Sequence, residues 1–315
     1  MAVPPASAGA GGATAAPLRL LAMPHMIRRF CALAGFAVLM TRVTPLPAHE
    51  SAALFAPDNL LAWCIVPYDN QHRTPVQRME MLRRLGFSQY VWDWRAEHLK
   101  ELPDEIAAAR TAGIRLRAVW IWIDETQDKV GTPGASNRAV FDAIAAARLP
   151  VEFWVGFHDN VLAGLDDGAR VEKACAVIGS LRDEARAVGG TVALYNHGGW
   201  FGEPENQLRI LDALGDTSVG MVYNFHHGHD QLARFSEFLP RIVPHLRAVN
   251  VNGMRPEGPK ILPVGTGTHE REMLRVLVAS GYRGPVGILG HVEDVDVEPI
   301  LRANLDGLRR IAETL

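Results

Sequence analysis

The chain has 315 residues, 48% hydrophobic and 21% charged, with a formal net charge of −3. That composition is globular, holds enough apolar mass for a large core, and lacks the basic excess of a nucleic-acid binder. Its three cysteines, Cys31, Cys64 and Cys175, stand far apart, which excludes a disulfide framework and a zinc motif.

Residues 1–25 are rich in Ala, Gly and Pro and carry no pattern; they read as a disordered extension, or as text translated ahead of a true start at Met26. From Met26 the text changes. Arg28 and Arg29 precede the apolar run FCALAGFAVLM, and small residues follow, with cleavage expected after Ala48 or Ala53. This is the layout of a secretory signal peptide over 26–53. The apolar run is well short of the roughly 20 residues a spanning helix needs. The expectation is export to the periplasm or the outside, with no membrane span after cleavage.

The mature chain, 54–315, alternates short apolar runs with amphipathic stretches. Strands are expected at 61–68, 90–94, 116–123, 151–157, 191–196, 219–224, 247–252 and 285–289. A helical pattern follows each. The first has Val76, Met79, Leu82 and Leu85 on one stripe, Thr74 as N-cap and Gly86 as stop. Later helices are expected to start at Ser136 and, with Pro204 in its first turn, after Glu203. A further one is expected to run unbroken through DQLARFSEFLPRIVPHL. Eight β-then-α units with strands apolar on both faces predict an α/β fold, a single (β/α)8 TIM barrel preceded by a signal peptide.

In such barrels the working site lies at the C-terminal ends of the strands. His158, His197, His226, His227, His229 and His291 all fall there. Because residues i and i+2 share a face, Tyr195 and His197, Asn224 and His226, Asn250 and Asn252, and Leu289 and His291 should point to the axis. Trp120, Trp122 and Asp124 share one face of their strand, and Glu152, Trp154 and His158 one face of theirs. The implied mouth is lined by indoles, imidazoles and amides, a mixture suited to a polyhydroxylated small molecule such as a sugar.

The ordered phrases MLRRLGF, YVWDW, VALYNHGGW, VGMVYNFHHGH, LRAVNVNG, LPVGTG and SGYRGPVGIL, spanning roughly 60–312, resemble the xylose-isomerase-like barrel superfamily of sugar-phosphate isomerases and epimerases. The resemblance implies a divalent metal held by Glu, Asp, His and Glu on strands 5–8, polarising a hydroxy-ketone for proton transfer. By position those ligands fall on Tyr195, Asn224, Asn250 and Leu289, so the usual carboxylates are absent. Metal dependence is therefore in doubt, with His197, Asn224, His227 and Asn250 the positional candidates. The family's histidine after the strand-6 Asp is matched by His227, and its NH pair by Asn196 and His197.

Three roles fit the histidine loop VYNFHHGHD: a softer metal, acid–base work, or helix capping. The first acid–base candidates are His197 and His227, with Asp93 and Glu203 as carboxylate partners. Asp93 has a structural alternative, an ion pair with Arg95 or Arg73, and Glu203 another, favourable charge at a helix start. Tyr195, Asn196, Trp200, Asn224, His226, His229, Asn250, Asn252, His291, Trp154 and His158 would bind substrate. PVGTGTHE, 263–270, offers backbone amides that could cradle an anion. The expected activity is isomerase- or epimerase-like proton transfer on a carbohydrate or keto-sugar. The alternative is an exported carbohydrate-binding protein that has lost the reaction; a glycoside hydrolase would need paired carboxylates at strand ends that strands 5–8 lack.

Overall fold

A computed structural model describes residues 52–315. The extension at 1–25 and all but the last two residues of the expected signal peptide lie outside the described residues. Eight parallel strands close into a barrel in simple chain order: β1 (Leu60–Trp63), β2 (Gln89–Trp92), β3 (Arg115–Ile123), β4 (Glu152–Phe157), β5 (Thr191–Tyr195), β6 (Val219–Asn224), β7 (Leu246–Val251) and β8 (Val286–Leu289), with β8 pairing back onto β1. The connecting helices are α1 (Pro75–Leu85), α2 (Leu102–Ala112), α3 (Ala135–Ala147), α4 (Asp167–Ala187), α5 (Pro204–Leu214), α6 (Phe235–Ile242), α7 (Glu270–Ala279) and α8 (Val297–Ala312). None of the described helices is long and apolar enough to cross a membrane.

Local chemistry accounts for the boundaries. Thr74 and Gln77 form a capping box ahead of α1, and Gly86 ends the helix at φ 84°. Helix α5 starts on Pro204 as expected. Helix α3 starts at Ala135 with Gly134 as N-cap, one residue before the expected Ser136. The run expected to form one long sixth helix is broken into a 3-10 turn at His229–Arg234, α6, and a second 3-10 turn at Val243–His245. Pro244, which lacks the N–H a continuous helix would use, sits in the second turn, whereas Pro240 is accommodated inside α6. β1 stops at Trp63 rather than residue 68, because Cys64 takes a left-handed φ of 57°.

The two faces of the strands separate as the alternation requires. Tyr223 points outward onto Phe235 and Phe238, and Phe153 onto Phe141. Inside, the Trp63 ring meets Trp120, Trp154 and Tyr195. Lower down, Glu152 accepts from Trp154 Nε1 and faces Arg247 at 3.9 Å. Gly156 is required where the indoles cross β4: a Cβ there would stand 2.5 Å from the Trp120 ring.

Candidate functional site

At the barrel axis the sequence places an indole, a phenol and an amide where three strands meet. Trp63 Nε1 donates to the Tyr195 hydroxyl at 2.9 Å, and the Asn224 amide donates to the same oxygen. Tyr195 is 1% exposed and Trp154, stacked on it, is fully buried. Burial holds the Tyr195 phenol well above its ordinary pKa, so it stays protonated. The Asn224 Oδ1 takes the His226 N–H at 3.1 Å. Asn250 lies beside Asn224 in register, buried and with neither amide atom hydrogen-bonded. Gly287 makes room for it, since a Cβ there would lie 1.9 Å from Asn250 Oδ1.

Above this plug runs a row of imidazoles. Ring centroids are 4.3 Å apart for His197 and His227, 4.4 Å for His227 and His226, and 5.2 Å for His226 and His291. Tyr68 covers His291 at 3.9 Å. Loss of water, and then repulsion within the row and from Arg95, disfavours protonation. His197 and His226 are each pushed down to about 4, and His227 and His291 are lowered as well. At neutral pH the row is uncharged. No group of three or more His, Cys, Asp or Glu among the described residues has metal-binding geometry.

The open space lies to one side of the axis, over the ends of β2, β3 and β5. It is a cavity of about 370 Å³ walled by Trp94, Trp120 and Trp122. Arg95, Asp124 and His197 reach it as charged or titratable groups, and Gln127 and Asn137 as amides. The walls are tied to one another. Trp94 Nε1 donates to the Trp120 carbonyl at 2.8 Å, Trp120 stacks on Trp122 at 5.7 Å, and the His197 ring stands edge-on to Trp122 at 4.6 Å. Asp124 is held as a carboxylate, at a pKa of about 2, by donors from Asn160 and Thr126. Asp128 also borders the cavity, but its oxygens accept from the Asp124 and Gly134 amides and from Asn137.

The structure brings His197, His227, His226, His291, Tyr195, Asn224 and Asn250 together and keeps other candidates apart. Asp93 is 3% exposed, and its carboxylate accepts from the Ile65 and Val66 amides; burial raises its pKa to about 6. Arg73 is not its partner but pairs with Asp69, Asp296 and Glu298. Glu203 pairs with Arg234 at 3.0 Å. Trp200 donates to Asp167 and packs against Arg170 and Arg209. Asn196 clamps β5 to β6, its Oδ1 taking the Asn224 N–H at 2.7 Å. Asn252 donates to the Gly253 and Lys260 carbonyls, and His229 to the Arg255 carbonyl at 2.7 Å. His158 accepts the Asn160 N–H, its ring 6.2 Å from Trp122. Trp154 serves the axis plug. In the 263–270 loop the Gly265 and Gly267 amides already hold an anion, the chain's own Glu270 carboxylate. Sequence reasoning passed over Trp94, Gln127 and Asn137; only the period-two placement of Trp120 and Trp122 on β3, with Asp124 just past its end, pointed toward their cavity.

No protein-family model and no curated protein matches the chain. Solved structures do. The apo 3-keto-D-glucoside 4-epimerase of E. coli superposes with TM-score 0.62 at 14% identity over 80% of this chain and 99% of that one. D-psicose 3-epimerase of Clostridium cellulolyticum H10, solved with D-tagatose, gives 0.58 at 13% over 81% and 99%. A xylose-isomerase-like protein from Mycobacterium smegmatis, solved with magnesium, gives 0.55 at 13% over 81% and 96%. The fold is that of the xylose-isomerase-like TIM barrels.

In this (β/α)8 barrel the four residues that the sequence resemblance sets at metal positions do not fit a hard divalent cation. Such an ion takes six or more oxygens, carboxylates foremost. Tyr195 and Asn224 are bonded to each other, Leu289 has no donor, and Asn250 offers one amide oxygen.

Proposed function

We propose that the protein is a sugar isomerase- or epimerase-like enzyme. It acts on a neutral carbohydrate or keto-sugar in the cavity beside the axis, by acid–base proton transfer through His197 and without a hard divalent ion. The observation that carries this is the cavity itself. At about 370 Å³ it falls at the small-ligand end of the usual range. Three indoles offer flat apolar faces, and amides with one ionised carboxylate offer acceptors and donors for hydroxyls. Glu270 closes off the 263–270 amides, which favours a substrate without phosphate. His197 is the imidazole that opens onto this space; His227 backs it, and the neutral state of both makes His197 a proton acceptor rather than a donor at pH 7.

The test is a panel of sugars and keto-sugars read by thermal shift, with and without Mg2+ or Mn2+, on wild type and His197→Ala. The proposal expects stabilisation by at least one sugar independent of metal, and turnover lost in the variant. Stabilisation only with metal present contradicts it.

A second reading, an exported carbohydrate-binding protein without turnover, is favoured by one observation: Asp93, the carboxylate expected to partner His197, is buried against the Ile65 and Val66 amides rather than paired with it. Binding by wild type and His197→Ala alike, with no exchange of substrate C–H protons in either, decides for that reading.

A further inference from the structure

A neutral imidazole can take a proton from carbon only if the anion left behind is strongly stabilised. In metal-dependent barrels of this fold the cation does that. Here the axis is closed by the Trp63–Tyr195–Asn224 bonds, so the charge must come from elsewhere.

One cationic side chain borders the cavity among the described residues, Arg95. Its position is fixed at both ends. The backbone N–H donates to His98 Nδ1 at 3.0 Å, and the guanidinium donates to the Trp94 carbonyl at 3.0 Å and the Tyr68 hydroxyl at 2.9 Å. It also lies over the Tyr68 ring, 5.4 Å from its centroid. A guanidinium carries five N–H donors, so these two bonds leave others for a ligand. Arg95 and His197 border the same space, which Trp120, Trp122 and Asp124 also line.

We propose that Arg95 takes the place of the divalent cation: its guanidinium holds the carbonyl oxygen of a neutral keto-sugar lying on Trp122. This rests on the proton-transfer reading of the same site. The step balances within the substrate and His197. The C–H bond beside the carbonyl breaks, its proton goes to the imidazole, and its electron pair forms the enolate, whose negative oxygen lies against Arg95. If the enolate turns over in the cavity, return of the proton to the opposite face of the same carbon gives the epimer. Return to the former carbonyl carbon, with the neighbouring hydroxyl's proton passing to the enolate oxygen, gives the isomer. In both cases His197 is neutral again.

The experiment follows exchange of C–H protons with deuterium oxide by NMR, using D-fructose, D-tagatose and a methyl 3-keto-β-D-glucopyranoside as probes. Wild type, Arg95→Gln and Arg95→Lys are compared, each with and without EDTA, and each checked for its melting temperature. The expected result is exchange in wild type that EDTA does not change. Arg95→Gln should lower kcat by about 100- to 1,000-fold, the effect of losing one preorganised donor to an oxyanion. Arg95→Lys, which keeps the charge but not the fork, should recover part of the rate and serves where Arg95→Gln fails to fold. Undiminished exchange in a folded Arg95→Gln overturns the Arg95 assignment while leaving the proton-transfer reading in place. Exchange that requires added metal overturns the assignment too. No exchange in wild type with any probe overturns the proton-transfer reading and Arg95's role together.

Discussion

Tyr195→Phe removes one oxygen from the middle of the barrel and leaves the ring that packs there. That oxygen accepts from Trp63 Nε1 at 2.9 Å and from the Asn224 amide. Both donors are buried, at 2% and 1% exposure, so neither is solvated once the hydroxyl is gone. A stranded buried donor costs about 1–3 kcal/mol, so two of them, each in the lower half of that range, give a loss of about 2–4 kcal/mol. Against a typical stability of about 5–15 kcal/mol this is a large fraction. Urea unfolding followed by circular dichroism reads it as a lower midpoint at unchanged slope. A loss under about 0.5 kcal/mol would refute the reasoning, because the hydroxyl would then not be the bridge that closes the axis to a cation.

The imidazole row makes the fold acid-sensitive. His226, half-buried in the row, is held to about 4 in the folded chain against 6.5 for an unperturbed imidazole, so the unfolded chain takes up a proton first as pH falls, and stability present at pH 7 is lost between about 6.5 and 4. His226→Asn should flatten that slope in urea midpoints measured across this range, and an unchanged slope contradicts the assignment. Asp93 acts in the opposite sense: raised to about 6, it favours the fold below pH 4 and loses that contribution as pH rises through 6, so Asp93→Asn should remove a decline of up to about 3 kcal/mol over that window. Trp122→Ala should weaken binding of whichever probe sugar stabilises wild type by about tenfold, or 1.4 kcal/mol, in a tryptophan-fluorescence titration, and unchanged affinity places the sugar elsewhere. Glu270→Ala should free the Gly265 and Gly267 amides, so that inorganic phosphate raises the melting temperature of the variant but not of wild type; equal response of the two contradicts self-occupancy of that loop.

The strands were legible because burial on both faces writes them as apolar runs, and alternation then told Tyr195 and Asn224 from Tyr223 and Phe153. The end of β1 was not legible. Ile65, Val66 and Pro67 continue the apolar run, but Cys64 adopts a left-handed backbone, and a carboxylate from beyond the next strand, Asp93, takes up the Ile65 and Val66 amides. No local pattern announces a partner 27 or 28 residues away. That Tyr195, Asn224, Asn250 and Leu289 stand where the resemblance implies metal ligands was legible in the sequence, residue by residue. The cavity was not, because β3 supplies only Trp120 and Trp122, and the remaining wall comes from loops and the start of α3, set by longer-range bonds such as Asn137 to the Trp122 carbonyl and Asn160 to Asp124. Glu203 and Trp200 read as mouth residues from their place after β5; ion pairing and stacking with Arg234, Arg170 and Arg209 take them up instead.

The most direct test of the account is a crystal structure grown with Mn2+ and soaked in a probe keto-sugar that stabilises the protein, recorded at a wavelength where manganese scatters anomalously. The expected map shows the sugar on Trp122, one of its oxygens against Arg95, and no anomalous peak among Tyr195, Asn224, Asn250 and Leu289. A manganese peak among those four side chains, with the sugar bound over it, would contradict the account.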